Sequence, residues 1–347
     1  MDSNKEAEMK ALVEEVLGAK ASGARILRLK QDASLRSYFR VVTEGASWVV
    51  MSMPKEALKK SEEGGAEVAS KELPFLNVHR YLKQLDMPVP EVLHFDEARG
   101  MMLLEDLGDM TLEAHLQQNP QATKSTYAEL VDMLACMRAR AEKMPAPDCL
   151  GFQREFDRAL YAWELEHFLD WGLLIWGGPR TQEEDAELLS YFEVLTDTLA
   201  ALPRGFTHRD FQSRNLMLKQ GRWHLIDFQD ALLAPRAYDL VALLRDSYIE
   251  LEPDFVQSMV AHYAACFAKH SGAPIDEADF AHSFELLTVH RKLKDAARFE
   301  YIALQKGNES FLPFIPTSLR YVSSALSRLP EFAGLKALFA RWLPEFA

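Results

Sequence analysis

The sequence predicts an α+β protein with two lobes, a small N-terminal sheet lobe and a larger, mostly helical C-terminal lobe. Two patterns carry this prediction. The first 105 residues contain five β-like runs together with helical segments, whereas helical periodicity dominates from residue 111 onward. A chain of 347 residues is also long for a single core. We therefore expect an N-terminal lobe at 1–107 and a C-terminal lobe at 108–347, with a hinge near 104–109.

The N-terminal lobe is expected to contain a five-stranded antiparallel sheet with one inserted helix. Apolar residues at helical spacing first predict an amphipathic helix over 6–18. A second helical pattern over 71–85 lies between the third and fourth β-like runs, and it ends before Pro88 and Pro90, which impose extended backbone. The five predicted strands are 24–29, 37–42, 47–53, 92–95 and 101–104.

The C-terminal lobe is predicted to be helical, with a β-hairpin near its middle. The hairpin is indicated by Trp223-His224-Leu225-Ile226, a short apolar run. No internal repeat or low-complexity segment is visible in the sequence. The predicted helical segments are 111–117, 124–142, 153–172, 182–201, 237–250, 254–270, 277–305 and 317–328.

Composition argues against several classes of partner. A net charge of -13 at pH 7 argues against nucleic acid, because phosphate backbones attract clusters of Lys and Arg. The charged N-terminus lacks the apolar stretch of a signal peptide, and no apolar run reaches the roughly 18 residues that span a bilayer. Three scattered cysteines form neither a disulfide framework nor a metal-ligand pair. We expect a cytoplasmic protein that acts on a small molecule, without a nucleic-acid or membrane partner, and leave its oligomeric state open.

The residues that can carry chemistry are concentrated at 205–230. His208-Arg209-Asp210 is followed by Asn215, and Asp227 comes directly after the apolar hairpin run. Phosphoryl transfer needs one carboxylate that accepts the proton of the attacking hydroxyl, and a second carboxylate and an amide oxygen that hold magnesium on the nucleotide phosphates. Each residue alone could instead cap a turn or stabilise its own loop. Those local roles do not explain the whole set.

Together with the PRAYDL segment at 235–240, these motifs resemble those shared by protein kinases and aminoglycoside phosphotransferases. The resemblance implies a bilobal protein-kinase-like fold, with ATP and Mg²⁺ as cofactors. It implies that Asp210 is the general base and that Asn215 and Asp227 bind the metal ion. His208 and Asp239 then have structural roles, with Asp239 as the buried acid that braces the catalytic loop.

Several further segments extend the resemblance over most of the chain, from about residue 30 to 325. They are 32–34, 36–40, 104–108, 164–168 with Trp171, 227–231 and 290–294. These segments resemble those of the bacterial anomeric kinases of N-acetylmuramate and N-acetylglucosamine. That resemblance implies transfer of phosphate from ATP to the anomeric hydroxyl of a free amino sugar, as occurs in cell-wall recycling.

One departure from the kinase pattern concerns the nucleotide phosphates. Kinases pair a lysine on the third strand with a glutamate on the following helix. Here Met51 stands at the lysine position, and the partner position near Phe75 or Leu76 is apolar. Another cation must then face the phosphates, and Arg36 and Arg40 are the candidates.

The other nucleotide contacts are expected from the backbone. Ser34 lies in the predicted phosphate-covering loop, where small residues let backbone N–H groups approach phosphate. Glu105 and Leu107 lie on the predicted hinge, where backbone atoms would contact the adenine.

Acceptor recognition is expected from the C-terminal lobe. Glu164, His167 and Trp171 are spaced so that they can share one helix face, although such a face can also serve only for core packing. Gln229 and Asp230 directly follow the metal-binding aspartate and are predicted to lie near the reacting centre.

Two arginines complete the predicted site. Arg214 lies one residue before Asn215 and could neutralise charge in the transition state or bind an acidic group of the acceptor, so we place it with the catalytic residues. Arg291 shares a helix face with Lys294, and we place Arg291 with the acceptor-binding residues.

Two other hypotheses stay open. An aminoglycoside- or choline-type acceptor would favour a pocket rich in Asp and Glu, whereas 290–306 is basic, which favours a neutral or acidic sugar. A pseudokinase scaffold would be compatible with the missing lysine. A scaffold, however, has no physical need for Asp210, Asn215 and Asp227 together.

Overall fold

The five-stranded antiparallel sheet predicted for the N-terminal part is confirmed by a computed structural model, which describes residues 3–29, 36–53 and 72–347. The strand order is β1-β2-β3-β5-β4, and every neighbouring pair is antiparallel. The predicted phosphate-covering residue Ser34 lies outside the described residues. The strands are β1 (Arg25–Arg28), β2 (Ser37–Thr43), β3 (Ala46–Ser52), β4 (Val92–Asp96) and β5 (Met101–Glu105).

The two faces of this sheet pack against different helices, because successive strand residues point to opposite sides. Helix α1 (Ser3–Leu17) packs on the outer face, where Phe39 and Val50 belong to the same apolar cluster as Leu12. Helix α2 (Pro74–Gln84) packs on the inner face with Met51, which is fully buried. The position of the usual kinase lysine is therefore part of an apolar core here.

The remaining described residues form a lobe made mostly of helices. Two short antiparallel strand pairs, β6 (Arg204–Thr207) with β9 (Leu232–Pro235) and β7 (Leu216–Lys219) with β8 (Arg222–Leu225), lie at its centre. The helices are α3 (Leu112–Gln118), α4 (Thr123–Lys143), α5 (Arg158–Phe168), α6 (Leu174–Trp176), α7 (Gln182–Ala201), α8 (Tyr238–Leu244), α9 (Pro253–Ser271), α10 (Glu277–Lys306), α11 (Ile315–Leu326) and α12 (Ala333–Trp342). A π-helical turn, Leu169–Leu173, joins α5 to α6.

Two predicted helices are shorter in the structure, and local side-chain bonds explain both ends. The segment predicted at 153–172 becomes helical only at Arg158, because the Asp157 side chain accepts the Leu160 N–H and caps the first turn. The segment predicted at 237–250 ends at Leu244. Just beyond that end, Asp246 accepts the backbone N–H of Tyr248 and of Ser213, which draws the chain into a turn.

The connection between the sheet and the helical lobe runs from the end of β5 at Glu105 to the start of α3 at Leu112. The predicted boundary between residues 107 and 108 falls in this segment and stays a prediction. In the part of the chain that the structure describes, no helix is both long and apolar enough to cross a membrane.

A buried arginine of α4 fixes the β6–β9 pair, which the sequence did not predict. Arg138 donates to the carbonyl oxygens of Gly205 and Ala234, each at 3.1 Å, and to the Thr207 hydroxyl at 3.3 Å. A Cβ atom added to Gly205 would lie 2.6 Å from the guanidinium group. Gly205 is therefore required because the arginine occupies the space of a side chain.

We predict that Gly205→Ala destabilises the protein by about 1–3 kcal/mol, the usual cost of overpacking a filled site. The guanidinium cannot move aside without losing its hydrogen bonds to β6 and β9. Urea unfolding followed by circular dichroism would measure the change. Gly178→Ala is the matched control, because nothing lies within 4 Å of the added Cβ. Equal stability of the two variants would contradict this account.

Candidate active site

The catalytic loop, residues 208–215, lies between β6 and β7, and the first turn of α8 binds its backbone. Asp239 accepts the backbone N–H groups of His208 and Arg209 at 2.7 and 2.9 Å. Arg209 has a φ of 79°, a left-handed conformation that a side chain rarely adopts. Burial raises the pKa of Asp239 to about 7, while the two N–H bonds and Arg291 oppose that rise. These contacts fit the bracing role predicted for Asp239.

The Asp210 carboxylate is oriented by a buried arginine from α10. Arg291 donates to Asp210 Oδ1 at 3.0 Å and to the carbonyl oxygen of Arg209 at 2.8 Å, and it is only 2% exposed. The side chain of Asp210 is 20% exposed. Among the described residues, none donates to Asp210 Oδ2, so this oxygen is available to an incoming hydroxyl.

His208 supports the loop as a neutral ring. Its Nδ1 atom accepts the backbone N–H of Asp210 at 3.3 Å. Burial lowers the pKa of His208 to about 4, so Nδ1 can act as an acceptor near neutral pH. This geometry fits the structural role predicted for His208.

The predicted metal ligands lie on adjoining turns. The Asn215 amide donates its Nδ2 hydrogen to the carbonyl oxygen of Asp210 at 2.9 Å, which leaves its Oδ1 oxygen for another partner. Ile226 N–H donates to the carbonyl oxygen of Asn215 at 3.1 Å, which ties the catalytic loop to the turn that carries Asp227. Asp227 has a φ of 64°, so this turn presents its carboxylate through an unusual backbone conformation.

The surroundings of Asp227 suit a bound cation. Its side chain is 46% exposed in the open cleft. Desolvation by the surrounding protein nevertheless raises the pKa of Asp227 to about 6, while the Gln229 hydrogen bond opposes the rise and Asp210 adds to it. A carboxylate and an amide oxygen are ligands that Mg²⁺ accepts, and Mg²⁺ usually takes only one or two protein carboxylates besides phosphate oxygens and water. Accordingly, the described residues contain no cluster of three or more His, Cys, Asp or Glu arranged for a metal.

The two candidate replacements for the missing lysine have different surroundings. Arg36 is 8% exposed, and its guanidinium lies 3.8 Å from Asp227 Oδ1. Arg40 instead pairs with Asp106 and Asp109 of the connection between the lobes, both at 2.8 Å. Arg36 is thus the cation beside the predicted metal ligand, whereas Arg40 is held at the hinge.

The predicted hinge contacts also differ from each other. Glu105 donates its backbone N–H to Glu91, and its side chain pairs with Lys219 at 2.6 Å. Leu107 is 7% exposed, and within the described residues its backbone N–H and C=O have no hydrogen-bond partner. Of the two residues, Leu107 has backbone groups that a nucleotide base could still use.

Gln229 contacts both Asp227 and Asp230, and the predicted contact of Gln229 and Asp230 with the acceptor stays a prediction. Gln229 donates from Nε2 to Asp227 Oδ1 at 2.8 Å and to Asp230 Oδ2 at 3.2 Å. Arg154, which the sequence did not single out, lies 4.0 Å from Asp230 and donates to the carbonyl oxygen of Gln229. An isolated arginine in a loop carries no sequence signal for this contact.

The structure separates the two acceptor residues predicted on α5. Glu164 is 1% exposed and lies 3.9 Å from the Arg209 guanidinium, behind the catalytic loop. His167 lies one turn further along, with its ring 5.4 Å from Tyr301 and 6.3 Å from Trp171. This placement favours a loop-holding role for Glu164, and its predicted contact with the acceptor stays a prediction.

Arg214, which was predicted to act on the transition state or the acceptor, contacts neighbouring protein side chains instead. Its guanidinium pairs with Glu113 of α3 at 2.8 Å and stacks 3.6 Å above the Tyr248 ring. Arginine favours such a combination of a carboxylate and an aromatic face. These contacts brace the end of the catalytic loop next to Asn215, and direct catalysis by Arg214 stays a prediction.

Sequence reasoning missed two acids that organise the site. Asp246 accepts the Ser213 N–H at 2.7 Å, so α8 and the turn after it hold both ends of the catalytic loop. Asp295 pairs with Lys292 at 2.7 Å and with Lys294 at 3.3 Å. The segment HRKLKD at 290–295 contains four basic residues and ends in one acid. This pattern is the sequence signal for Asp295.

Comparisons with known proteins agree with this arrangement. Residues 25–275 match the family described as "Phosphotransferase enzyme family". The chain is 34% identical over 313 residues to an N-acetylmuramate/N-acetylglucosamine kinase of Neisseria meningitidis, covering 88% of this chain and 87% of that protein. It is 31% identical over 332 residues to a protein of the same name from Pseudomonas aeruginosa, covering 93% of this chain and 90% of that protein.

Solved structures show the same fold at low identity. A choline kinase from Cryptosporidium parvum Iowa II superimposes with a TM-score of 0.63 at 10% identity, covering 97% of this chain and 98% of that one. Aminoglycoside 2'-phosphotransferase-IIIa, solved as a GDP complex, gives a TM-score of 0.60 at 14% identity, covering 94% of this chain and 100% of that one. The fold is therefore the bilobal protein-kinase-like fold that the motifs predicted. By its family match and its relatives, the chain belongs to the phosphotransferase enzyme family.

Proposed function

We propose that this phosphotransferase uses ATP and Mg²⁺ to phosphorylate the anomeric hydroxyl of N-acetylmuramate or N-acetylglucosamine. The observation that carries the chemistry is the Asp210 carboxylate, which Arg291 orients through Oδ1 while Oδ2 stays available. The proposal includes the predicted cytoplasmic location, which stays a prediction.

Asp210 acts as the general base in this proposal. Its Oδ2 atom accepts the proton of the acceptor hydroxyl while the hydroxyl oxygen forms a bond to the γ-phosphorus of ATP. The bond between that phosphorus and the β–γ bridging oxygen breaks, and ADP leaves with the electron pair. Arg291 keeps the carboxylate in position through its hydrogen bond to Oδ1.

Asn215 and Asp227 would hold the magnesium ion, and Arg36 would supply the charge that the missing lysine gives in other kinases. Bound magnesium supplies charge neutralisation on the transferring phosphoryl group. Arg36 lies beside Asp227, so its guanidinium is close enough to the predicted metal position to contact a phosphate oxygen. The backbone of Leu107 would contact the adenine.

The acceptor is proposed from the relatives and from the charge of α10. Two relatives at 34% and 31% identity carry the name N-acetylmuramate/N-acetylglucosamine kinase. Arg291, Lys292 and Lys294 are all buried beside the site, which suits a neutral or acidic acceptor better than a polycation. The solved neighbours that act on other acceptors share only the fold.

The direct test is to incubate the protein with ATP, Mg²⁺ and each candidate acceptor, and to record the phosphorus NMR spectrum of the product. The panel contains N-acetylmuramate, N-acetylglucosamine, choline and an aminoglycoside. We expect a glycosyl phosphate signal from the two amino sugars only. A phosphate on a primary or ring hydroxyl would contradict the anomeric assignment, and turnover of choline or the aminoglycoside alone would replace the acceptor.

We predict that Asp210→Asn lowers kcat by about 10²–10⁴-fold, the usual contribution of a general base. Nucleotide affinity should change little, because Asp210 contacts the acceptor in this proposal. A coupled assay for ADP release and calorimetric titration with ATP and Mg²⁺ would measure the two effects. Asp254→Asn, at an exposed position in the first turn of α9, is the control for loss of one negative charge. Wild-type turnover by Asp210→Asn would exclude the base assignment.

We predict that Arg36→Met lowers kcat/KM for ATP by about ten- to a hundredfold, the effect of losing a hydrogen bond to a charged group. Arg40→Met should affect kcat/KM for ATP less and the free energy of unfolding more, because Arg40 holds Asp106 and Asp109. ATP titrations of the initial rate and urea unfolding would separate these effects. A larger loss of kcat/KM in Arg40→Met would assign the phosphate contact to Arg40 instead.

A further inference from the structure

A cavity of about 270 Å³ lies between α5, the π-helical turn and α10. Its walls are mostly aromatic, with the Trp171 and Tyr301 rings 4.9 Å apart and the Trp163 and His167 rings 5.8 Å apart. We call this cavity the aromatic pocket; it is lined by Trp163, Glu166, His167, Asp170, Trp171, Arg298 and Tyr301. The volume is near the lower end of small-molecule sites, so it suits part of a sugar and not a large ligand. A π-helical turn in its wall is a rare conformation that is frequent at functional sites.

The aromatic pocket lies along the same two helices that position the catalytic base. On α10, Arg291 bonds Asp210, and Arg298 lines the pocket seven residues later. Seven residues are close to two helical turns, so both arginines lie on one face, about 10 Å apart along the helix axis. On α5, Glu164 lies behind the catalytic loop and His167 enters the pocket one turn later. The pocket therefore lies about two helical turns along α10 from the arginine that holds Asp210.

Arg298 differs from the other cations on this face of α10 in the partners that the structure describes for it. Arg291 is paired with Asp210, and Lys294 is paired with Asp295. The Arg298 guanidinium lies 5.0 Å from the Tyr301 ring centroid. Within residues 3–29, 36–53 and 72–347, no carboxylate pairs with Arg298. Glu166 and Asp170 line the same pocket, and their carboxylates have no hydrogen-bond or ion-pair partner among these residues.

We propose that the aromatic pocket holds the part of the acceptor that lies away from the anomeric carbon, and that Arg298 binds a carboxylate on that part. This inference rests on the proposed function. With the anomeric hydroxyl at Asp210, the substituents at C3 and C4 of a pyranose point away from Asp210. N-acetylmuramate carries a lactyl ether at C3 that ends in a carboxylate, whereas N-acetylglucosamine has a hydroxyl there. In this orientation the ether arm extends from the ring toward the Arg298 side of the site.

The two acids of the pocket make Arg298 more important for an acidic acceptor. Glu166 and Asp170 can accept hydrogen bonds from sugar hydroxyls or from the acetamido N–H. They also repel a carboxylate, and Arg298 offsets that repulsion. Loss of Arg298 should therefore weaken binding of the acidic sugar specifically.

The test compares both sugars with the full chain and its Arg298→Met variant. We expect the ratio of kcat/KM for N-acetylmuramate to that for N-acetylglucosamine to fall at least tenfold, mainly through KM. Arg298→Lys should recover part of the ratio, because lysine keeps the charge but loses the planar fork. Lys306→Met, which removes an exposed cation from the end of the same helix, should leave the ratio unchanged. Tryptophan fluorescence titrated with each sugar gives a second readout of binding, through Trp163 and Trp171.

An unchanged ratio in Arg298→Met would overturn the inference. An equal loss for both sugars, with an unchanged thermal midpoint, would also overturn it, because the pocket would then bind only the part that the sugars share. Failure of the wild-type protein to phosphorylate either sugar would overturn the proposed function instead. In that case, fluorescence quenching by N-acetylmuramate that is lost in Arg298→Met would still support the carboxylate site, and its absence would reject it.

Discussion

The buried contact between Arg291 and the catalytic loop is the constraint on which the rest of the site depends. One guanidinium bonds both the Asp210 carboxylate and the Arg209 carbonyl oxygen, while Asp239 accepts two N–H groups of the same loop. A buried charge is costly unless it is paired and hydrogen-bonded. Since each charge here depends on the other, the loop and α10 must fold together, and the Asp210 carboxylate acquires its position from a helix more than 80 residues away in sequence.

The cost of an unpaired buried charge also explains the missing strand lysine in the N-terminal lobe. Met51 is fully buried and packs in one apolar cluster with Phe75 of α2, so both members of the usual lysine–glutamate pair are replaced by core residues. Burying an apolar side chain contributes about 1.5–3 kcal/mol, whereas a lone buried glutamate would be destabilising. In our proposal, Arg36 next to Asp227 supplies the positive charge that the pair would give. The substitution therefore exchanges an ion pair for core packing and keeps a cation in the cleft.

The fold could be predicted from the sequence because its strands and long helices have clear patterns of apolar residues. The strands of the sheet and the long helices were predicted to within a few residues, since alternation and helical periodicity reflect the face that each element buries. The β6–β9 pair was missed because its strands are only four residues long and contain Gly205 and Pro235. In the site, Asp210, Asn215 and Asp227 were expected to lie near one another because they belong to one short stretch, and their roles are implied by the resemblance to the kinase motifs. The partners of Arg40 and Arg214 could not follow from spacing, because Asp109 and Glu113 belong to distant segments.

Helix α10 shows why side-chain roles are harder to predict than elements. Arg291, Lys292 and Lys294 lie within one turn of this helix, and all three are buried although charged side chains usually stay in water. Burial lowers the pKa of Lys292, and Asp295 opposes that shift, so this acid keeps the cluster compatible with the core. A helix that needed only to pack would gain stability from apolar residues at these positions. Retaining three cations and an acid is consistent with a wall that must orient a carboxylate at one end and meet an acidic or neutral ligand along its length.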